Sequence, residues 1–73
     1  MPMIMRRPAR RFDHKRFRAF RRNTASQREF GDRMGYSGAY IRLVERGACN
    51  PSMNFLEAFA RAYRVDLRDY LTG

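Results

Sequence analysis

The stretch MGYSGAYIRLVERG, residues 34–47, decides how the chain is read. Gly35 can take the left-handed conformation that stops a helix, Ser37 is a side chain that starts one, and Gly47 closes that second helix a few turns later. Between these caps the residues divide by helical spacing. Tyr40, Ile41 and Val44 fall on one face, while Ala39, Arg42, Leu43 and Arg46 follow i, i+3, i+4, i+7 on the other. One face is built to pack and the other to be presented. The alternation in IRLV lasts four residues and sits inside this helical pattern, so no strand is expected. The presented helix nevertheless opens with Gly38 and Ala39, which raises the question of what so small a surface could read.

Outward from this stretch, helix punctuation continues in both directions. Ser26 and Glu29 in SQRE form a capping box that starts helix 2, which Gly35 ends near Met34. Asp13 is expected to cap helix 1, roughly 14–23, with Phe12 and Phe17 as a hydrophobic staple and Phe17, Phe20 and Arg21 sharing the inner face. After the loop ACNP, Ser52 caps helix 4, roughly 53–63, and Asp66 caps a short helix 5 that runs to about Leu71. The expected fold is all-α, a compact five-helix domain. Helices 2 and 3, joined by a tight glycine-containing turn, form a helix-turn-helix arrangement whose second helix can enter the major groove of DNA.

A length of 73 residues supports one small domain that buries about 60% of its unfolded surface, with no room for a separate catalytic domain. Apolar residues make up 44% of it and aromatic ones 14%, enough for a core. Lys and Arg outnumber Asp and Glu by 16 to 7, a net charge of +9 that suits a polyanionic partner. Residues 1–22 carry nine bases against the single acid Asp13, and the remainder carries seven against six. The protein is a nearly neutral body with a basic front end. The segment RRPARR has neither helical nor strand periodicity, so residues 1–11 are expected to be a flexible basic arm, with Arg6, Arg7, Arg10 and Arg11 as its charges, and residues 12–73 the domain. An organelle transit peptide would share this composition but would leave almost nothing as a cleavable extra.

Other function classes find little support. Cys49 stands alone, which excludes an intramolecular disulfide and suits a reducing cytoplasm. No apolar run approaches the ~18 residues of a membrane span. His14 has no second histidine and is expected to be a solvated residue of helix 1, so no metal site is expected. Asp66 and Asp69 share one first turn and read as helix capping. With no phosphate-cradling glycine loop and no nucleophile arrangement, the chain is expected to be no enzyme and to need no cofactor.

The run SQREFGDRMGYSGAYIRLVERGACNPS resembles the helix-turn-helix domains of the Cro and lambda-repressor type, also called XRE-like, and FLEAFARAYRVDLRDYL continues in the same register. Gln27, Phe30, Gly35, Ser37, Ile41, Val44, Gly47, Pro51 and Leu56 are among the matching positions, and the resemblance covers about residues 16–72. It implies a DNA-binding domain in which Gly38, Ala39, Arg42 and Leu43 face base edges. Gln27, Ser37, Arg46 and Asn50 would meet the DNA backbone, and Arg21 with Glu45 would form a partly buried structural pair. Three departures stand out. The spacing from Arg21 to Gln27 is one residue short, Gly31 stands where alanine is usual at a cost of roughly 0.5–1 kcal/mol, and Arg64 stands where glycine often turns left-handed.

The expected function is therefore that of a transcriptional regulator, a repressor of phage or bacterial origin, bound to a double-stranded DNA operator in the cytoplasm and on the nucleoid. Arg42 is the one polar reader, suited to guanine, while Ala39 and Leu43 can only touch thymine methyl groups. Small residues at the start of helix 3 would let its backbone approach the DNA, and the arm would lie on phosphates or in the minor groove. A homodimer is expected, formed if need be only on DNA, through Leu67, Tyr70 and Leu71 or through the apolar start MPMIM. The alternatives are an antitoxin-like module, whose protein partner would use an apolar patch at Phe55, Phe59, Tyr63 or Tyr70, and a non-specific nucleoid or RNA-binding protein.

Overall fold

A computed structural model describes residues 11–72, and among these four α-helices follow in chain order: α1 (His14–Arg22), α2 (Gln27–Met34), α3 (Gly38–Glu45) and α4 (Met53–Tyr63). Each begins on a side chain that takes one of the N–H groups the first turn leaves unpaired. Asp13 accepts from the Arg16 amide at 3.0 Å, and Ser26, Ser37 and Ser52 accept from the amides of Glu29, Tyr40 and Phe55, each at 3.1 Å. The box at Ser26 closes in its own way. The Ser26 hydroxyl donates to the Glu29 carboxylate at 3.3 Å, where the standard box would use the serine amide. Gly35 ends α2 at φ 84°, and the Phe12 and Phe17 rings sit 5.4 Å apart at the entry to α1.

The end of the chain departs from expectation. In place of a fifth α-helix there is a four-residue 3-10 helix, Leu67–Tyr70, because Asp66 accepts from the Arg68 amide two residues on, at 2.9 Å, and the backbone then extends. Leu71–Thr72 forms a strand, β2, antiparallel to β1 (Arg11–Phe12), with Arg11 opposite Thr72 and Phe12 opposite Leu71. The Asp13 amide continues the ladder to the Tyr70 carbonyl at 2.6 Å. Two-residue strands carry no periodicity to detect. They form because the Phe12 and Tyr70 rings stack at 6.4 Å and bring both chain segments side by side, where unpaired backbone groups would otherwise remain. Arg11, counted with the arm, is thus a rung of this sheet, while Arg6, Arg7, Arg10 and the segment MPMIM lie outside the described residues.

The core is aromatic. Phe17, Phe30, Ile41, Val44, Phe55 and Phe59 are fully buried, with Met34 and Tyr70 nearly so. Phe17 is its centre, meeting Phe30, Phe55 and Phe59 edge-on at 5.5, 5.8 and 5.0 Å. Phe55, Phe59 and Tyr70 therefore belong to the interior, not to a partner-binding patch. Tyr63, half-buried, stacks on Phe30 at 4.2 Å and donates its hydroxyl to the Phe30 carbonyl at 2.9 Å. The inward turn of Tyr70 also removes the aromatic member of the dimer surface expected at Leu67, Tyr70 and Leu71.

Glycine fixes how closely α2 and α3 approach. A Cβ at Gly31 would lie 2.5 Å from the Tyr36 carbonyl oxygen and 3.1 Å from Ile41 Cγ1, so the residue that weakens α2 as an isolated helix is the one its packing admits. Arg64 does adopt the left-handed conformation, at φ 53° and ψ 45°, and keeps the glycine-like corner after α4 at the strain an L side chain brings.

Candidate nucleic-acid interface

Glu45, at the inner end of α3, holds three helices together. Its carboxylate accepts from Arg21 Nε at 2.6 Å and Nη2 at 3.0 Å, and from Gln27 Nε2 at 3.2 Å. Arg21 Nη1 donates to the Ala25 carbonyl at 3.3 Å, so the short spacing between Arg21 and Gln27 still lets both reach one carboxylate. The Arg21 and Glu45 side chains are only 14% and 4% exposed. Little water reaches the pair, and its two parallel bonds fix the angle of α3 against α1. Gln27 is half-buried and keeps one N–H beyond the bond to Glu45.

His14 is not a solvated residue. It is half-buried, its Nδ1 donates to the Glu45 carbonyl at 3.2 Å, and its ring fills the space where a Cβ at Gly47 would come within 3.0 Å. The first residue of α1 thus closes the end of α3, across 31 residues of sequence that no local pattern spans.

With its inner face fixed in this way, α3 turns Ala39, Arg42, Leu43 and Arg46 outward, all exposed. Tyr40, expected in the core with Ile41 and Val44, is half-buried between Tyr36 at 5.3 Å and Phe55 at 5.2 Å. Burial, with Cys49 beside it, pushes its phenol above the ordinary value. Gly38 is placed differently from Ala39. A Cβ there would lie 3.1 Å from Arg28 Cα and 3.2 Å from Arg28 N, so the missing side chain faces α2 and its smallness serves helix packing. Of the two small residues that open α3, Ala39 is the one whose side chain is presented. Ser37 is exposed with its oxygen engaged as the cap, which leaves the hydroxyl proton to donate outward. Asn50 is exposed in the loop between α3 and α4.

A family model described as a helix-turn-helix domain matches residues 15–71. The chain belongs to the helix-turn-helix domain family. No curated protein and no solved structure matches it significantly. In this helix-turn-helix domain α2 and α3 are the two helices of the motif, and the turn between them is Gly35–Ser37.

Four bases of the helix-turn-helix domain stand beside α3. Gln27, Arg42 and Arg46 border one groove of about 200 Å³ together with Arg21, Glu45 and Arg18 of α1. Arg18 has no counterpart among the residues the sequence singles out, though it lies one turn before Arg21 on the same helix. Among the described residues ion pairs join Arg21 to Glu45 and Arg68 to Asp66; Arg42 and Arg46 are in neither, so both charges face outward unpaired. Among the described residues no three metal-ligating side chains converge, and no helix is long and apolar enough to cross a membrane.

Proposed function

We propose that this helix-turn-helix domain is a sequence-specific regulator of transcription, a repressor of the Cro and lambda-repressor type, that binds double-stranded DNA with α3 in the major groove. One observation carries the reading: the exposed face of α3 presents Ala39, Arg42 and Leu43 on a helix whose opposite side is locked into the core and the Arg21–Glu45–Gln27 network. A rigid helix with an unpaired guanidinium at its centre is what direct readout needs. Arg42 supplies a fork for the O6 and N7 acceptors of guanine, and Ala39 and Leu43 supply apolar contact with thymine methyl groups. Ser37, Gln27, Arg46 and Asn50 supply contacts to phosphates, which set register without reading sequence. The arm, with Arg6, Arg7 and Arg10 ahead of the β1 residue Arg11, adds affinity on phosphates or in an adjacent minor groove.

One such helix reads too few base pairs to find a site in a genome, so the operator is taken to be two half-sites about one helical turn apart, bound by two copies. The protein is a binding module without catalysis or cofactor, at work in the cytoplasm on the nucleoid. The burial of Phe55, Phe59 and Tyr70 counts against a protein-binding patch as its main surface. Selection of bound duplexes from a random pool tests the proposal. Enrichment of a two-fold symmetric motif is the expected result; equal binding of all duplexes would overturn sequence-specific reading, and a single unpaired half-site would overturn the dimer.

A further inference from the structure

α1 carries its bases in separate settings. Arg21 is bound to Glu45, and the Arg16 guanidinium lies 5.6 Å from the centroid of the Tyr70 ring. Lys15, Arg18 and Arg22, spaced by three and four, form an exposed stripe of their own with Ala19 between them. This stripe borders an open groove of about 520 Å³ between α1 and the end of α3, lined also by His14, Glu45 and Arg46. Ala19 leaves room on its floor. The groove shares Arg18, Glu45 and Arg46 with the one in which Gln27 and Arg42 stand, so the two form a continuous track from Lys15 to the reading helix. Glu45 is the acid on that track, and Arg21 already balances its charge. Among the described residues Lys15, Arg18, Arg22 and Arg46 enter no ion pair.

Like charges at these spacings repel one another along a helix, which makes the stripe unfavourable for α1 until an anion lies along it. The stripe is about 10 Å long from Lys15 to Arg22. Successive phosphates of a DNA strand are about 3.4 Å apart along the duplex axis and farther apart along the winding strand itself, so the stripe can meet two in succession. We infer that the α1 groove, through Lys15, Arg18 and Arg22, is a second phosphate-binding surface that holds the DNA backbone flanking the site under α3. This rests on the duplex-DNA reading above and adds to it a contact surface outside the helix-turn-helix motif. Its occupant is the phosphodiester backbone itself, so it strengthens binding to every sequence alike.

Two charge-matched double variants test it: Arg18→Gln with Arg22→Gln, and Arg33→Gln with Arg61→Gln, whose positions line neither groove. All four residues are exposed, so both variants should stay folded, with cooperative thermal melts as the check. Affinity for a duplex selected by the wild type and for a random duplex is read by fluorescence anisotropy over a range of salt. The groove variant should lower the slope of log K against log salt by nearly two on both duplexes, equivalent to roughly 60-fold weaker binding at about 0.1 M salt relative to 1 M, with base preference unchanged. The control pair should leave the slope as it is. Ala19→Glu, which places an acid on the groove floor, should weaken both duplexes in the same way. If the groove variant loses no more slope than the control, the inference falls while the wild type still selects its site. A wild type that binds no duplex would remove the DNA reading itself.

Discussion

Gly31→Ala sets two effects of opposite sign against each other. In the middle of α2 the added methyl raises helix propensity by about 0.5–1 kcal/mol. Against this, the new Cβ meets the Tyr36 carbonyl oxygen at 2.5 Å, and Ser37 C and Ile41 Cγ1 at 3.1 Å. Two of these three neighbours are backbone. They belong to the turn pinned by Gly35 at φ 84° and by the Tyr36 amide, which donates to the Gly31 carbonyl at 2.8 Å, so they cannot rotate aside as a side chain would. An extra methyl in a close-packed region costs about 1–3 kcal/mol, and a backbone clash belongs at the upper end of that range. The steric effect wins. The net loss should be about 1–2 kcal/mol, or roughly 4–16 °C in Tm for a domain of this size. Urea unfolding followed by circular dichroism measures it as a lower midpoint at unchanged slope. Because relief requires the turn to move, and the turn carries α3, affinity for a selected duplex should fall more than affinity for a random one. A variant as stable as the wild type would refute the claim that the approach of α3 keeps glycine at this position.

Breaking the Glu45 network should be asymmetric: Arg21→Gln leaves a buried carboxylate with Gln27 as its remaining partner and should cost about 3–5 kcal/mol, while Glu45→Gln keeps an oxygen for the guanidinium and should cost less. Urea midpoints in the reverse order would show that the guanidinium is the harder group to leave unpaired. Arg42→Ala should lose roughly 1–3 kcal/mol of affinity and relax preference at one base pair. Equal weakening on selected and random DNA would reassign Arg42 to a phosphate. Arg64→Gly should stabilise the domain by about 0.5–1 kcal/mol, since it relieves the left-handed strain at φ 53° and gives back part of the gain as unfolded-state freedom. An unchanged or lower Tm would place the advantage of arginine elsewhere. Tyr40, Tyr63 and Tyr70 all ionise above the ordinary value of 10.0, chiefly because of burial. Each phenol holds its proton more tightly folded than unfolded, so stability should be intact below about pH 10 and decline as pH rises through the folded values. Thermal melts in alkaline buffers would contradict this by staying flat.

The helix starts and stops were legible because a cap acts over three residues: Asp13, Ser26, Ser37 and Ser52 each bond an amide close by in the chain, and Gly35 needs only its own backbone freedom. The outward face of α3 was legible for a similar reason, since a period of 3.6 residues separates Ala39, Arg42 and Leu43 from Ile41 and Val44 once the helix is placed. Charge is additive along a chain, so the basic front end needed no fold to be seen. What the sequence could not settle depends on where a second element comes to rest. Gly31 and Gly38 look like weak helix formers until the approach of α3 to α2 leaves no space for a Cβ. His14 looks solvated until the end of α3 arrives 31 residues later, and Phe55 and Phe59 look available for a partner until Phe17 fills the space between them. The two-residue strands exist only because Phe12 and Tyr70 stack. The basic groove is likewise tertiary, because Lys15, Arg18 and Arg22 gain Arg46 as a neighbour only when α1 and α3 are held together at Glu45. Local hydrogen bonds and helical period fix the four α-helices from the order of residues alone; strand pairing, steric fit and shared charge between elements are properties of their distance in space, which only the packed fold sets.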